Sequence, residues 1–187
     1  MEFSSAVQTR RSLRSLAPFP VTEDLVRDLA LYAGKAPSCM NKQPWRFVFV
    51  YEEKNLDTLK ATLSSPGNDW AKKASLIVAV ATKNDLDCRM PGRDYAMLDT
   101  GMATMQLLLR AVDLGLVTHP IAGYDEEKSK EALGIPVGWT LITLIIIGGK
   151  TDSINPELSE RQKEAEKVPS TRLPFEKFAC LNQFRTE

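Results

Sequence analysis

Several kinds of functional residue are scarce in this chain of 187 residues. It has one histidine, and its three cysteines, Cys39, Cys88 and Cys180, are widely spaced and form no CxxC pair, so no metal-ligand set is grouped in the sequence. It also has no GxGxxG, P-loop or GxSxG motif. These absences argue against a structural zinc site, the common nucleotide-binding loops and a serine hydrolase.

Net charge and long apolar runs are also lacking. Lysine plus arginine equals aspartate plus glutamate at 24 each, so the chain has no general attraction to nucleic acid or an anionic membrane. The longest apolar stretch, Leu141 to Ile147, is broken by Thr143 and is too short to span a bilayer. The first residues lack a signal-peptide pattern. We therefore expect a cytoplasmic protein in a reducing compartment, with Cys39 as a packing residue.

The apolar pattern predicts an α+β fold in one domain, residues 1–187, with a small, mixed, mainly antiparallel sheet. A long helix is predicted from Asp94 to Leu114, and the apolar run from Leu76 to Ala81 predicts a central strand buried on both faces. Shorter helices are predicted at 3–11, 22–34, 56–63 and 125–134, and further strands at 45–51, 117–122 and 140–147. Beyond Lys150 the periodicity weakens while large apolar residues persist. The segment 150–187 is therefore expected to be an extended arm that docks on its own domain or on a partner chain.

The first candidate for chemistry is the basic cluster Arg10-Arg11-Ser12-Leu13-Arg14. Guanidinium groups match phosphate oxygens, and the serine hydroxyl adds a donor. Taken alone, the cluster is better explained as a solvated basic face.

Three further polar segments have both a structural and a functional interpretation. In the segment 37–45, Ser38, Asn41 and Gln43 offer hydrogen bonds to a polar ring or a ribityl chain, or simply form a turn between a helix and a strand. The small residues of 120–125 let backbone amides approach a ligand, or form a tight strand-to-helix turn. The segment 169–174 places Arg172 directly after the hydroxyl residues Ser170 and Thr171, as a second phosphate-binding segment would.

Other titratable residues near these segments are interpreted as structural or solvated. His119 has no nucleophile to serve and is expected to have a structural role. Asp85, Asp87 and Asp94 flank a polar loop without metal-ligand spacing and are expected to be solvated.

Taken in order along the chain, these segments resemble the nitroreductase family of FMN enzymes. The matching text is RRSLR at 10–14, PSCMNKQPW at 37–45, DTGMA at 99–103 in a helix running to Leu114-Gly115-Leu116, PIAGYD at 120–125, and STRLP at 170–174. The resemblance implies a nitroreductase-like fold, in which helices flank the sheet, one long helix is central, and the arm 150–187 wraps the partner subunit. It implies a homodimer with FMN sites at the subunit interface.

The resemblance also implies roles for individual residues. Arg10, Arg11, Ser12, Ser170 and Arg172 would hold the FMN phosphate. Arg14 would lie near the N1–C2=O side of the flavin, where a fixed positive charge favours hydride acceptance. The remaining cofactor-binding residues would be Pro37, Ser38, Cys39 and Asn41 from the other subunit, Gln43, Asn68 at the pyrimidine edge, and Ala122 and Gly123, whose backbone amides face N5.

The activity implied is a ping-pong cycle in which NADH or NADPH passes hydride through flavin N5 to a nitroaromatic or quinone. A non-catalytic flavin carrier or redox sensor remains an alternative, as does another reductive activity of the family, such as flavin reduction or dehalogenation. The chain departs from larger members in two ways. The link 83–93 is too short for the helices that form part of the roof over the flavin, and the lysine that some members place near the ring has no clear equivalent, since Trp70 stands near that position.

Overall fold

A four-stranded antiparallel sheet forms the centre of the molecule. The computed structural model describes residues 2–64 and 66–185. Its helices are α1 Phe3–Thr9, α2 Glu23–Ala33, α3 Glu53–Lys60, α4 Ala96–Asp113, α5 Glu126–Leu133 and α6 Glu160–Lys167. Its strands are β1 Arg46–Val50, β2 Leu76–Thr82, β3 Arg89–Met90, β4 Arg93–Asp94, β5 Leu116–Ile121 and β6 Thr140–Gly149. Short 3-10 turns lie at Cys39–Asn41, Asp69–Lys73, Asn84–Leu86 and Phe175–Lys177. The α+β class is therefore confirmed.

The strand order of the sheet is β1-β2-β6-β5, and each neighbouring pair is antiparallel. Val78 in β2 pairs with Phe49 on one side and with Ile145 on the other. All seven residues of β2 are buried, which confirms the prediction of a central strand covered on both faces.

Alternation along the strands divides the core into two layers. Ile77 and Ile146 point to a cluster that includes Leu56 and Leu59 of α3. Val78 and Ile145 point to the other cluster, which includes residues of α2 and α4. Because successive strand residues face opposite sides, these runs of valine and isoleucine supply both layers at once.

The long helix α4 is buried on one face only. Its covered face includes Ala103, Leu107 and Ala111, whereas Met97 and Met105 are exposed. The sequence of this helix is apolar over most of its circumference, which predicts burial on most sides, but in a single chain only one face is covered. Among the described residues, no helix is long and apolar enough to cross a membrane.

An ion pair joins α4 to α2. Arg110 donates from Nε and Nη2 to the two carboxylate oxygens of Asp28, at 2.7 and 3.1 Å, and its guanidinium lies 4.4 Å from the ring centroid of Tyr32. Two-pronged pairing fixes direction as well as distance, so it sets how α2 lies along α4.

The C-terminal segment contains a helix that periodicity alone did not predict. Helix α6 is short and strongly polar, and it begins at a capping box in which the side chains of Ser159 and Gln162 each bond the other's backbone N–H. Beyond α6 the described chain forms only the 3-10 turn at Phe175–Lys177, and its large apolar side chains are exposed. These side chains are Leu173, Phe175, Phe178, Leu181 and Phe184.

Candidate functional site: the arginine cavity and its surroundings

A cavity of about 520 Å³ lies between the N-terminal basic cluster and the segment after α6. It is lined by all six residues that the sequence suggested as phosphate contacts and ring neighbours in these two segments, namely Arg10, Arg11, Ser12, Arg14, Ser170 and Arg172. We call this space the arginine cavity. Its volume lies in the usual range for small-molecule sites.

Local backbone structure explains why these residues face one space. Helix α1 ends at Thr9, and Arg10 has extended backbone angles, so the cluster runs as an open strap rather than as a helix face. Helix α6 ends at Lys167, and Val168 is also extended before Pro169. Two extended segments can therefore line opposite sides of the cavity.

Glu166 ties the strap to α6, and sequence reasoning missed it. Its carboxylate oxygens accept the backbone N–H groups of Arg14 at 2.8 Å and Ser15 at 3.1 Å. In the other direction, Arg11 Nη2 donates to the carbonyl oxygens of Ala165 and Glu166 at 2.7 and 2.9 Å. An arginine at a helix C-terminus satisfies carbonyls that lack helical partners. The capping box at Ser159 is the sequence signal that would have located α6, with Glu166 in its last turn.

The donors around the arginine cavity fit a phosphate ester. Four guanidinium groups and two hydroxyls line it, and both oxygens of the nearby Glu166 carboxylate already accept backbone hydrogen bonds. Arg11 uses its Nη2 atom for the hydrogen bonds to α6. Its Nε and Nη1 atoms are therefore the donors that can serve an anion. Guanidinium groups pair with phosphate oxygens in a two-pronged geometry, and a phosphate ester of a cofactor is therefore a suitable ligand.

A second group of residues lies beside the strap at the end of β5. Asn68 Nδ2 donates to the carbonyl oxygen of Gly123 at 2.8 Å, so two of the suggested flavin contacts touch each other. A Cβ at Gly123 would come 2.3 Å from that same nitrogen, so only glycine permits this close approach. The neighbouring Ala122 is exposed. The structure thus brings Asn68, Ala122 and Gly123 together at one edge of the sheet.

His119 and Trp70 connect this edge to the strap. The His119 Nδ1 atom lies 3.1 Å from the carbonyl oxygen of Leu13, and its ring centroid lies 4.6 Å from that of Trp70. Arg14 lies over Trp70, with its guanidinium carbon 5.8 Å from the ring centroid. Since a carbonyl oxygen can only accept, neutral His119 carries its proton on Nδ1. Trp70 Nε1 is buried and has no hydrogen-bond partner in residues 2–64 and 66–185.

The surroundings of His119 oppose its protonation. The pKa of His119 is lowered to about 4, chiefly by burial and also by the nearby charges of Arg14 and Arg10, against opposing effects from the Leu13 carbonyl and Glu166. The folded protein therefore holds His119 neutral at a pH where a solvent-exposed histidine takes up a proton.

This difference predicts a pH-dependent loss of stability. As the pH falls from about 6.5 towards 4, the unfolded chain protonates His119 and the folded chain does not, so the free energy of unfolding should fall by up to about 3 kcal/mol. His119→Gln can still donate to the Leu13 carbonyl but does not titrate. The free energy of unfolding of this variant should therefore lack this part of the pH dependence. Urea unfolding of both proteins at pH 7, 5.5 and 4.5 measures the difference. Parallel stability profiles for the two proteins would contradict the assignment.

The suggested flavin segment 37–43 has an unusual backbone. Met40, Asn41 and Gln43 all have positive φ angles, of 49°, 56° and 50°. Outside glycine this conformation costs on the order of 1–2 kcal/mol per residue, and such residues concentrate at functional sites. The turn is held by the Ser38 hydroxyl, which accepts the backbone N–H of Gln43 at 2.9 Å.

This segment packs against the start of α4 rather than against the arginine cavity. Buried Asp99 accepts the backbone N–H of Cys39 at 2.7 Å, and the Pro44 carbonyl accepts the Thr82 hydroxyl at 3.1 Å. Among the described residues, no hydrogen bond or ion pair joins 37–43 to the residues of the arginine cavity. The structure of one chain therefore leaves Pro37, Ser38, Cys39, Asn41 and Gln43 apart from the phosphate candidates.

Two expectations about individual residues near this segment are wrong. Cys39 is not a simple packing residue, because it forms a disulfide with Cys88, with 6.0 Å between the Cα atoms. Asp87 is not solvated, because only 7% of it is exposed. Burial is the largest of the effects that raise the pKa of Asp87, and the facing carboxylate of Asp99 adds to it.

The link between β2 and α4 is a small hairpin. A 3-10 turn at Asn84–Leu86 leads into β3 and β4, which turn at Pro91 and Gly92, where φ is 73°. The residues of both strands are exposed. This segment is structured, although the sequence predicted only a polar loop.

Comparison with known proteins assigns the chain to a family. A model of the nitroreductase family matches residues 7–91 and, in an overlapping segment, residues 66–149. The chain therefore belongs to the nitroreductase family.

Individual relatives agree with this assignment. The chain is 26% identical to the Bacillus subtilis protein named "Putative NAD(P)H nitroreductase YdgI", over 81% of this chain and 90% of that protein. It is 26% identical to a solved structure described as an oxidoreductase containing FMN, with a TM-score of 0.84, covering 97% of this chain and 92% of the other. A structure from Exiguobacterium sibiricum, described as a putative nitroreductase in complex with FMN, shares the fold at 24% identity and a TM-score of 0.76, covering 97% and 98% of the two chains.

Proposed function

We propose that this protein is an FMN-dependent oxidoreductase that passes reducing equivalents from NADH or NADPH to a nitroaromatic or quinone acceptor. The observation that supports it most is the convergence of Arg10, Arg11, Ser12, Ser170 and Arg172 on one cavity, from segments at opposite ends of the sequence. Similarity to an oxidoreductase containing FMN and to an FMN complex agrees with this ligand.

Each group of residues has a distinct task in this proposal. The arginine cavity binds the FMN phosphate, which fixes one end of the cofactor. Arg14, which lies over the Trp70 ring, supplies a positive charge beside the flavin ring. The exposed backbone near Ala122 and the Asn68–Gly123 pair face the ring edge.

FMN, when bound, supplies the redox chemistry by taking up hydride at N5 and giving it to an acceptor in the same place. The chain itself then has to bind, orient and shield the cofactor. This division of labour fits a site whose residues are mostly donors and backbone amides.

A second copy of the chain completes the site in this proposal. Segment 37–43 lies away from the arginine cavity of its own chain, so it would line the flavin bound by the partner. Met97 and Met105 on α4 are exposed, as are the apolar side chains of the segment after α6. Large exposed apolar surface of this kind is typical of a subunit interface. We therefore propose a homodimer in which the arm 150–187 lies across the partner.

A non-catalytic flavin carrier is the second candidate function. The short, exposed hairpin between β2 and α4 favours the carrier function, because this segment has few residues that could cover a substrate above the flavin ring. The two functions differ in whether bound flavin reacts with a reduced nicotinamide.

The test is an anaerobic absorption spectrum of the FMN-loaded protein before and after addition of NADH or NADPH. The enzyme should lose its yellow flavin absorption within seconds and regain it when a quinone is added. Steady-state kinetics with the quinone should then give parallel double-reciprocal lines, because both substrates use one place in turn. A flavin that stays yellow would identify a carrier, and intersecting lines would exclude the shared-site cycle.

A further inference from the structure

The disulfide between Cys39 and Cys88 lies against a buried acidic pair. The two sulfur atoms and a carboxylate oxygen of Asp87 all lie within 4.8 Å of one another, although the residues come from distant parts of the sequence. Asp87 Oδ1 accepts the backbone N–H of Cys88 at 2.7 Å, while Oδ2 is buried and has no hydrogen-bond partner within the described part of the chain. Next to Asp87 lies buried Asp99, and Lys42 is the cation whose charge partly opposes them.

Two facing carboxyl groups with few donors favour retention of a proton. Among the described residues, none directs an N–H or O–H at Oδ2 of Asp87, so a proton on the carboxyl group relieves both the repulsion from Asp99 and the unpartnered oxygen. A buried carboxyl group of this kind can give up a proton to a neighbouring atom that becomes negative, and take it back later. Besides the carboxylate of Asp99, the neighbouring atoms here include the two sulfurs.

The disulfide joins two segments that lie outside the four-stranded sheet. Cys39 belongs to the segment with three positive φ angles, and Cys88 immediately precedes the exposed hairpin of β3 and β4. Both cysteines are half-buried, so part of each residue is open to solvent. Because neither cysteine belongs to a strand of the four-stranded sheet, the disulfide is not needed to pair those strands.

We propose that Cys39 and Cys88 form a redox-active pair, reduced and oxidised by exchange with dithiols, with Asp87 as the proton carrier. In reduction, a thiolate of the external dithiol attacks Cys39 Sγ. The sulfur–sulfur bond breaks, and Cys88 Sγ leaves with the electron pair and takes the Asp87 proton. The second thiol of the dithiol gives its proton to Asp87 and attacks the mixed disulfide. Cys39 leaves and takes a proton from solvent, and the dithiol departs as a cyclic disulfide.

The first experiment asks whether the pair exchanges in the folded protein. The full chain carrying Cys180→Ser, which removes the third thiol, is incubated with reduced dithiothreitol at pH 7, and free thiols are counted by alkylation and mass spectrometry. Two thiols should appear together without denaturant, and oxidised dithiothreitol should remove both. Protection of the bond until urea is added, or thiols that stay free under oxidised dithiothreitol, would overturn the proposal.

The second experiment separates proton transfer from simple charge. In the Cys180→Ser background, Asp87→Asn should slow reoxidation by oxidised dithiothreitol at least about tenfold at pH 7, because Cys88 loses its base. If Asp87 acted only as a negative neighbour, its removal would favour the thiolate and speed the reaction. Asp85→Asn, which removes an exposed carboxylate paired with Lys83, is the matched control and should change the rate less than twofold.

The pH profile gives a measurement that does not depend on the Asp87 variant. With Asp87 as the base, the reoxidation rate of the Cys180→Ser protein should fall at low pH more steeply than the thiol titration alone requires. A rate that is unchanged or higher in Asp87→Asn, together with a profile explained by one thiol, would remove Asp87 from the mechanism. Because these readouts count thiols, their failure leaves the flavin proposal intact.

Discussion

Replacing Arg10 and Arg172 together by alanine is expected to release FMN from the protein during gel filtration. The two residues line the arginine cavity from different segments, so the double variant removes guanidinium groups from both sides of the phosphate. Hydrogen bonds to a charged group contribute about 1.5–3 kcal/mol each, so the Kd for FMN should rise on the order of a hundredfold to ten-thousandfold. Quenching of flavin fluorescence on titration measures this constant directly.

The matched control is the double variant Arg27→Ala and Arg89→Ala. It removes the same charge, but these arginines are exposed and pair with Glu23 and Asp94 away from the cavity. Its Kd should stay within about threefold of the parent, since isolated surface pairs contribute little. Full retention of flavin by the Arg10 and Arg172 variant would refute the phosphate assignment, whereas equal weakening in both variants would point to net charge alone.

Leu144→Ala is expected to lower the free energy of unfolding by about 2–5 kcal/mol. Leu144 lies in β6 at the centre of the sheet, has no exposed surface, and pairs with Ala79 on one side and Ile121 on the other. Its removal leaves a cavity that the surrounding strands cannot close, because their hydrogen bonds fix their spacing. Urea unfolding at one fixed protein concentration measures the change as a shift in midpoint at constant slope.

Val137→Ala serves as the comparison for this change. Val137 is 97% exposed in the turn before β6, so its truncation should alter stability by no more than about 0.5 kcal/mol. A loss below about 1 kcal/mol for Leu144→Ala would mean that this layer of the core repacks more freely than its close packing suggests.

Local patterns in the sequence predicted the parts of the fold that local forces determine. The continuous apolar run of β2 is sufficient to predict its burial, and the helix α5 begins at the Asp125 cap and ends at Gly134, where φ is 64°. Capping and glycine conformation depend on neighbouring residues only, so a single sequence shows them.

Contacts between distant segments could not be predicted in the same way. The Cys39–Cys88 disulfide spans 49 residues, and Glu166 reaches across 152 residues to the N–H of Arg14. Spacing along the chain contains no information about such pairs. Asp87 was misjudged for the same reason, because its burial depends on the disulfide and on Asp99 from a different element.

The candidate site residues show the same difference between local patterns and contacts of distant segments. Composition suggested what the strap 10–14 could bind, and the family resemblance suggested which segments cooperate. Flavin binding by segment 37–43 remains a prediction, because its contacts to flavin would involve a second chain.

The bonds between Arg11, Arg14 and Glu166 have a consequence for synthesis of the protein. The strap precedes the sheet in the sequence and α6 follows it, so the sheet, whose last strand ends at Gly149, can assemble during synthesis before the arginine cavity has its second wall. Under the proposed function, FMN would therefore load after the core has folded, and a chain halted between β6 and α6 would fold its core without being able to retain FMN.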